Sequence, residues 1–194
     1  MKITPWAVAA LAALTGAAGA QTIDFDTLAP GNYASLGNGG ATLTYANGLF
    51  DVLPVASSGL VSGHVLTSYF FHPDDPAPFR VSFAGGGNSF TVSFADDGED
   101  ADTGFLNAFD ASGMLLASST ATTPEGSDLG ALLAVSSATP IAYVEFGSTG
   151  EFAGSVYWDN ISYEAAAVPE PATMALFGLG LAGAAALARR RRSA

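Results

Sequence analysis

The chain has 194 residues, of which 49% are hydrophobic and only 12% charged, with a formal net charge of −12 and no cysteine. The absence of cysteine excludes disulfide bonds, thiol catalysis and cysteine-rich metal sites. The negative charge repels phosphate backbones and so excludes nucleic acid as a partner.

The first 20 residues have the pattern of a secretory signal peptide. Lys2 supplies a positive start, an apolar stretch runs from Trp6 to Ala18, and Ala18 and Ala20 form a small-x-small cleavage site. We therefore predict a signal helix over residues 1–20 and a mature chain that begins at Gln21. An uncleaved helical anchor is the alternative, and it also exports the rest of the chain.

The body of the chain is strongly acidic. Residues 21–168 contain one arginine, Arg80, and 17 acidic residues, so their formal net charge is −16. We expect one domain over residues 21–164, which at this size buries about 68–70% of its unfolded surface, and a linker over 165–168. Divalent cations are natural counter-ions for such a body, although solubility or a salty habitat explains the charge equally well.

Short apolar runs between turn-forming residues predict β-strands throughout the body. Apolar residues alternate over 79–83 and again over 90–94 on either side of a glycine-rich segment, which predicts a hairpin. A turn is expected at 110–113, between strands over 105–110 and 114–119. Further strands are predicted at 22–26, 41–45, 49–53, 65–71, 129–136, 141–146 and 155–163. Ten or eleven short strands predict an all-β fold, an antiparallel β-sandwich or jelly roll.

An acidic segment follows the 90–94 run. Five carboxylates stand in the seven residues 96–102, including Asp100 and Asp102. Calcium binds six to eight oxygen ligands, so this segment is a candidate metal site. A solvated loop tip between two strands is the alternative.

The alternation also breaks near the end of the body. Tyr157, Ile161 and Tyr163 share parity with the charged Asp159. A β-bulge at this point would re-aim the Asp159 carboxylate. The alternative role for Asp159 is to cap a turn or to accept backbone hydrogen bonds.

Aromatic side chains offer candidate sugar-stacking positions at Tyr69, Tyr157 and Trp158. Tyr157 and Trp158 are adjacent, so on a regular strand one of them faces outward. Packing in the core or on a sheet face is the alternative for all three. The sequence contains neither G-x-S-x-G nor H-E-x-x-H. Paired carboxylates acting on a glycosidic bond remain open as a hydrolase hypothesis.

The C-terminus combines three features in a fixed order. Pro169, Glu170 and Pro171 precede an apolar run over 172–188, which ends in the basic cluster Arg189, Arg190, Arg191 and Arg192. This tail resembles the PEP-CTERM sorting signal of bacterial proteins, which exosortase-type membrane proteases recognise. We predict a transmembrane helix over 172–188 within a sorting signal at 169–194, with the arginines cytoplasmic and the body outside. An unprocessed tail anchor is the alternative.

The body also resembles a recurrent PEP-CTERM ectodomain, through the segments 25–31, 109–113 and 158–161. Such ectodomains are similar to the jelly rolls of carbohydrate-binding modules, in which the first and last strands often share a structural calcium site. The resemblance therefore implies calcium as a cofactor, with Asp24 or Asp26 and Asp159 as ligands.

The two signals and the all-β body predict an exported, non-enzymatic surface protein. The resemblance to PEP-CTERM proteins implies a role at the surface or in the extracellular matrix (biofilm or floc) of a Gram-negative bacterium. Its partners would be an exosortase during processing, the inner membrane through the C-terminal helix before processing, and an exopolysaccharide. The second hypothesis is a carbohydrate-binding module, and the third is a polysaccharide hydrolase.

Overall fold

Eleven β-strands and one 3-10 turn, Ala153–Ser155, make up the ordered elements of the computed structural model, which describes residues 19–68, 76–95, 100–125, 129–150 and 152–165. In chain order the strands are β1 Ala20–Ile23, β2 Gly31–Tyr33, β3 Ser35–Asn38, β4 Ala41–Tyr45, β5 Phe50–Ser58, β6 Val61–Thr67, β7 Phe79–Ala95, β8 Thr103–Phe109, β9 Leu115–Thr122, β10 Ala131–Thr149 and β11 Tyr157–Ala165. All pairs are antiparallel. The predicted all-β class, with an antiparallel sandwich, is confirmed.

Two long strands connect the two parts of the sheet. β7 pairs with β10 along both of its halves, but its first half also pairs with β4 and its second half with β11. Around this pair the strand order is β2-β5-β6-β11-β7-β10-β8-β9, with β1 beside β11 and β3 beside β4. The halves of β7 and β10 thus belong to different sections of one sheet, as a sandwich closed by shared strands requires.

The predicted hairpin at 79–94 is wrong, because β7 runs straight through the glycine-rich segment. Phe79, Val81 and Phe83 are buried on one side of that segment and Phe90, Val92 and Phe94 on the other. The buried parity changes from odd to even, as an extra bulged residue inside one strand produces. For the same reason the predicted strands at 129–136 and 141–146 are one strand, β10, with register shifts near Ile141.

One aromatic core fills the space between the sheet sections. The rings of Phe94 and Phe146 lie 5.3 and 5.0 Å from that of Trp158, and Phe79 stacks on Phe146 at 5.4 Å. A second, small cluster of buried residues contains Val61, Val65 and Ala95, with Leu53, Val55 and Tyr157 packed against it. The β5–β6 hairpin is therefore anchored to β7 and β11 by its own apolar contacts.

The described strands lie within the compact unit Ala18–Ala166. Within the ranges given above, no helix is long and apolar enough to cross a membrane. The predicted signal helix, apart from residues 19 and 20, and the predicted transmembrane helix over 172–188 lie outside the described residues, as do the linker residues 166–168.

Candidate functional site

Three sequence-predicted aspartates line one pocket. Asp24 and Asp26 follow β1, and Asp159 lies on β11, the strand that pairs with β1. The pocket has a volume of about 410 Å³ and is lined by Thr22, Ile23, Asp24, Asp26, Ser62, Asp159, Asn160, Ile161 and Ser162. The fold therefore brings together residues that are more than 130 positions apart in the sequence.

A bulge in β11 directs Asp159 to this pocket, as the broken alternation predicted. The register between β11 and β7 shifts between Asp159 and Ser162, and Asn160 has a φ of 52°. Asp159 Oδ1 accepts a hydrogen bond from Asn160 N at 2.7 Å, and its Oδ2 accepts one from Ser62 N at 3.3 Å. The carboxylate thus joins β11 to the start of β6.

Asp26 holds the same hairpin from the other side. Its Oδ1 accepts a hydrogen bond from His64 N at 2.6 Å. Gly63 has a φ of 76°, and a Cβ at this position would collide with the Asp26 carboxylate. Asp24 plays a local part, since its Oδ1 accepts from Asp26 N at 2.9 Å and so fixes the turn after β1.

Two further side chains complete the attachment of the hairpin. Asn160 Nδ2 donates to Leu60 O at 2.8 Å, and His64 Nδ1 donates to Leu28 O at 2.9 Å. Backbone groups of the β5–β6 turn are therefore bound by residues from both the first and the last strand regions. We use the name acidic latch for Asp26, Asp159 and Asn160.

The surroundings of Asp159 disfavour its charged form. Burial raises the pKa of Asp159 above its ordinary value of 3.8, and the nearby charges of Asp26 and Asp24 raise it further. Hydrogen bonds from Asn160 and Ser62 oppose these effects without cancelling them. A cation at the pocket would remove this penalty, because a nearby positive charge favours the ionised carboxylate.

The donor set suits a hard cation only in part. Carboxylate oxygens are the ligands that calcium prefers, but those of Asp26 and Asp159 already accept backbone N–H bonds. Among the residues described, no group of three or more histidine or acidic side chains is arranged to hold a metal. Calcium at Asp24, Asp26 and Asp159 therefore stays a prediction.

The acidic segment has a different environment. Asp102 is fully buried, and its backbone carbonyl accepts a hydrogen bond from Thr123 N at 2.9 Å. Asp100 is half-buried. The acidic residues at 96, 97 and 99 lie outside the described ranges, so metal binding by Asp100 and Asp102 also stays a prediction.

Two of the three candidate sugar-stacking residues are described, and they differ in burial. Trp158 is only 1% exposed and packs against Phe94 and Phe146, so its nomination as a sugar platform is wrong. The outward position of this pair belongs to Tyr157, which is half-buried beside the small apolar cluster. Tyr69 lies outside the described residues.

An aromatic pair that sequence reasoning missed lies on β8 and β10. Phe109 and Tyr143 stack with ring centroids 4.9 Å apart, and the Arg80 guanidinium lies 4.3 Å from the Tyr143 centroid. Arg80 also donates to Glu145 Oε1, at 3.1 Å from Nε and 2.5 Å from Nη2. The sequence signal for this pair is the odd position of Phe109, because it places the ring on the other face of β8 from the buried Leu106 and Ala108. The close contact at Gly63 was also predictable, since a lone glycine in a strand often marks a place where another group approaches the backbone closely.

The sorting residues and the signal cleavage residue Ala18 lie outside the described ranges, and Ala20 begins β1. The PEP-CTERM protein-sorting motif matches residues 167–192, which include the Pro-Glu-Pro tripeptide and the four arginines. No curated protein matches the sequence.

The body is similar to several solved structures at low identity. One is an arabinose-bound α-L-arabinofuranosidase, at 13% identity and a TM-score of 0.48, covering 77% of this chain and 27% of the enzyme. The chain thus spans about a quarter of that enzyme's length.

Two other similar structures are close to the size of this body. A family 29 carbohydrate-binding module from Piromyces equi has 13% identity and a TM-score of 0.41, covering 76% of this chain and 91% of the module. A cleaved adhesin domain of Lys-gingipain from Porphyromonas gingivalis has 14% identity and a TM-score of 0.44, with 72% and 99% covered. These likenesses concern the fold, and nothing about ligands follows from them. What the match shows is that residues 167–192 carry the PEP-CTERM sorting motif, which implies export and processing by an exosortase.

Proposed function

We propose that this protein is a non-enzymatic component of the bacterial surface or extracellular matrix, with a body stabilised by calcium. The observation that carries the proposal is the acidic latch, in which the buried Asp159 and the exposed Asp26, from distant segments, hold backbone amides of one hairpin. Carboxylates used in this way serve architecture, because their oxygens face backbone N–H groups. The sorting signal accounts for the export of this body.

Processing gives the first test. We expect the protein recovered from the producing cell to lack residues 1–20 and most residues after about Pro171. Intact-mass measurement checks this. A chain from the outer fraction that retained Arg189 to Arg192 would contradict sorting by cleavage.

Calcium gives the second test. A ligand that binds only the folded state stabilises it by about 2.7 kcal/mol at a hundredfold excess over its dissociation constant. Millimolar calcium should raise the melting temperature by several degrees relative to chelator, and Asp159→Asn should abolish most of that rise. Glu164→Gln is the matched control, since it removes one charge from an exposed position of the same strand.

Magnesium at matched ionic strength separates a site from general screening. Equal stabilisation by both ions, or a calcium response that survives in the Asp159→Asn protein, would contradict the proposed site. A polysaccharide panel tests the absence of enzyme activity. Hydrolysis lost on carboxylate-to-amide change would favour the hydrolase reading instead.

A second candidate function is glycan binding, and the Phe109–Tyr143 pair favours it. Both rings are half-buried, and Arg80 and Glu145 supply hydrogen-bonding groups beside them. Since Phe109 and the Arg80 guanidinium lie over the Tyr143 ring, the outer face of Phe109 is the surface on which a pyranose ring would stack. On a glycan array, Phe109→Ala should abolish binding. Phe152→Ala, which removes a 49% exposed ring elsewhere, should leave it intact.

A further inference from the structure

The edges of the sheet differ in how they are protected. β1, β2 and β3 have three or four residues each, and the part of β5 beyond its pairing with β2 contains Pro54. Short strands and proline are the usual means by which proteins blunt sheet edges. These edges are therefore poor templates for another strand.

β9 lacks these protections. It has eight residues, it stands at the end of the strand order, and within the described ranges it pairs only with β8. The 14 residues between Asp110 and Glu125 carry no charge, and no proline falls within the strand itself. A long, neutral edge strand of this kind presents a row of backbone donors and acceptors to a partner strand.

The side chains along this edge allow close approach. From Ala117 to Thr122 every residue is alanine, serine or threonine, and positions 118, 120 and 122 are exposed. Small side chains cost little to order, and none of them repels its own copy. Two sheets can join here without a change in either backbone.

We propose that β9 pairs antiparallel with β9 of a second copy of this chain, so that two sheets become one across a two-fold axis. Charge supports a second copy as the partner of β9. Two bodies of −16 repel each other, and the uncharged stretch between Asp110 and Glu125 lets two copies meet along β9 with little repulsion. A two-fold axis lets each residue on one edge face its counterpart on the other without a new surface.

The pairing is weak for a single pair of molecules. Eight residues of edge bury less than the roughly 1,200 Å² typical of stable complexes. Association therefore becomes extensive only at the high local concentration of a surface layer, which suits a matrix component. The β9 pairing needs neither calcium nor a glycan, so a test of this pairing is independent of the function proposed above.

Spin labels test the geometry directly, because the chain has no native cysteine. Single cysteines at Ser118, Thr120 and Thr122 are labelled with nitroxides, and distances between copies are measured in chelator at up to ~1 mM protein. In an antiparallel two-fold pair, the separation changes by about 7 Å for each residue moved from the axis. Thr42→Cys, at an exposed position of the interior strand β4, is the matched control.

A graded series of distances at the three β9 positions, with no coupling at position 42, supports the proposal. Equal distances at all three positions, coupling at position 42 as strong as on β9, or an entirely monomeric protein at this concentration would overturn it. As a second variant, Ser118→Lys with Thr120→Lys should weaken association about tenfold, because like charges then face each other. Thr42→Lys should not weaken it.

Discussion

Asp110 and Asp159 both accept backbone hydrogen bonds, but the fold shifts their pKa values in opposite directions. Asp110 sits in the β8–β9 turn, where its Oδ1 accepts hydrogen bonds from Ser112 N, Ser112 Oγ and Met114 N. Asp159 sits in the β11 bulge and also accepts backbone N–H bonds. Yet the hydrogen bond from the Ser112 side chain, with others from the same turn, lowers the pKa of Asp110, whereas burial raises that of Asp159.

The difference lies in where the donors come from. All donors to Asp110 belong to the next four residues, so its turn forms without the rest of the fold. The Ser62 donor to Asp159 is 97 residues away, and bringing it there also brings in Asp26 and Asp24. The local hydrogen bonds leave Asp110 hydrated, while the position in which Asp159 accepts from Ser62 also buries it near two like charges.

The largest expected contrast is between Gly63, which lies against the Asp26 carboxylate, and Gly113, which lies in the Asp110 turn. Gly63 and Gly113 have φ values of 76° and 84°. Gly113→Ala should cost about 1–2 kcal/mol of unfolding free energy for the left-handed conformation alone, since the nearest atom to an added Cβ is 3.7 Å away.

Gly63→Ala should cost about 3 kcal/mol or more, because the methyl group also displaces Asp26 and leaves His64 N without its acceptor. Chemical denaturation of both variants measures the two losses. Equal losses would mean that Asp26 moves aside easily and that the latch is loose.

The sequence predicted what local pattern encodes. The 110–113 turn, the buried parity of β7 and the bulge at Asp159 follow from alternation and turn residues alone. Alternation cannot tell a hairpin from a bulged strand when glycines separate two apolar runs, and so β7 and β10 were each divided in two. The three-residue β2 and four-residue β3 were missed, because so short a strand has no measurable period.

The candidate site was predictable only through its carboxylates. Resemblance nominated Asp24, Asp26 and Asp159, which line one pocket. Their backbone partners at Ser62 and His64 could not be foreseen, since any residue can supply an N–H group. Trp158 was misplaced because the adjacent Tyr157 offers the same alternation, and only the fold decides which of the two is buried.

The next contrast is between removing each carboxylate and replacing it with an amide. In chelator, Asp159→Ala should lose about 1–3 kcal/mol of unfolding free energy, because the Ser62 and Asn160 amides lose their acceptor. Asp159→Asn keeps one acceptor and removes the repulsion, so its change should stay below about 1 kcal/mol.

For Asp110 the order should differ, since its charge is favourable there and Asp110→Asn should already reduce stability. Thermal melting of Asp159→Ala, Asp159→Asn, Asp110→Ala and Asp110→Asn measures both series. An Asp159→Asn protein as unstable as Asp159→Ala would show that the charge itself stabilises the latch.

The smallest effects are in the pH dependence, where the two carboxylates should act with opposite signs. The pKa of Asp110 is lowered on folding, so its contribution to stability is present above its ordinary value of 3.8 and is lost as pH falls through the folded pKa. The pKa of Asp159 is raised, so the fold binds its proton more tightly than the unfolded chain does. Its contribution is present below 3.8 and is lost as pH rises through the folded pKa.

Titration by carbon-13 NMR in chelator should therefore place the Asp159 carboxyl above 3.8 and the Asp110 carboxyl below it. Stability profiles should agree with this. Asp159→Asn removes the loss of stability that accompanies rising pH just above 3.8, and Asp110→Asn removes the loss that accompanies acidification below 3.8. If both carboxyls titrated below 3.8, the hydrogen bonds from Ser62 and Asn160 would outweigh burial. The case for a cation at the pocket would then lose its electrostatic basis, because no charge penalty would remain for the cation to relieve.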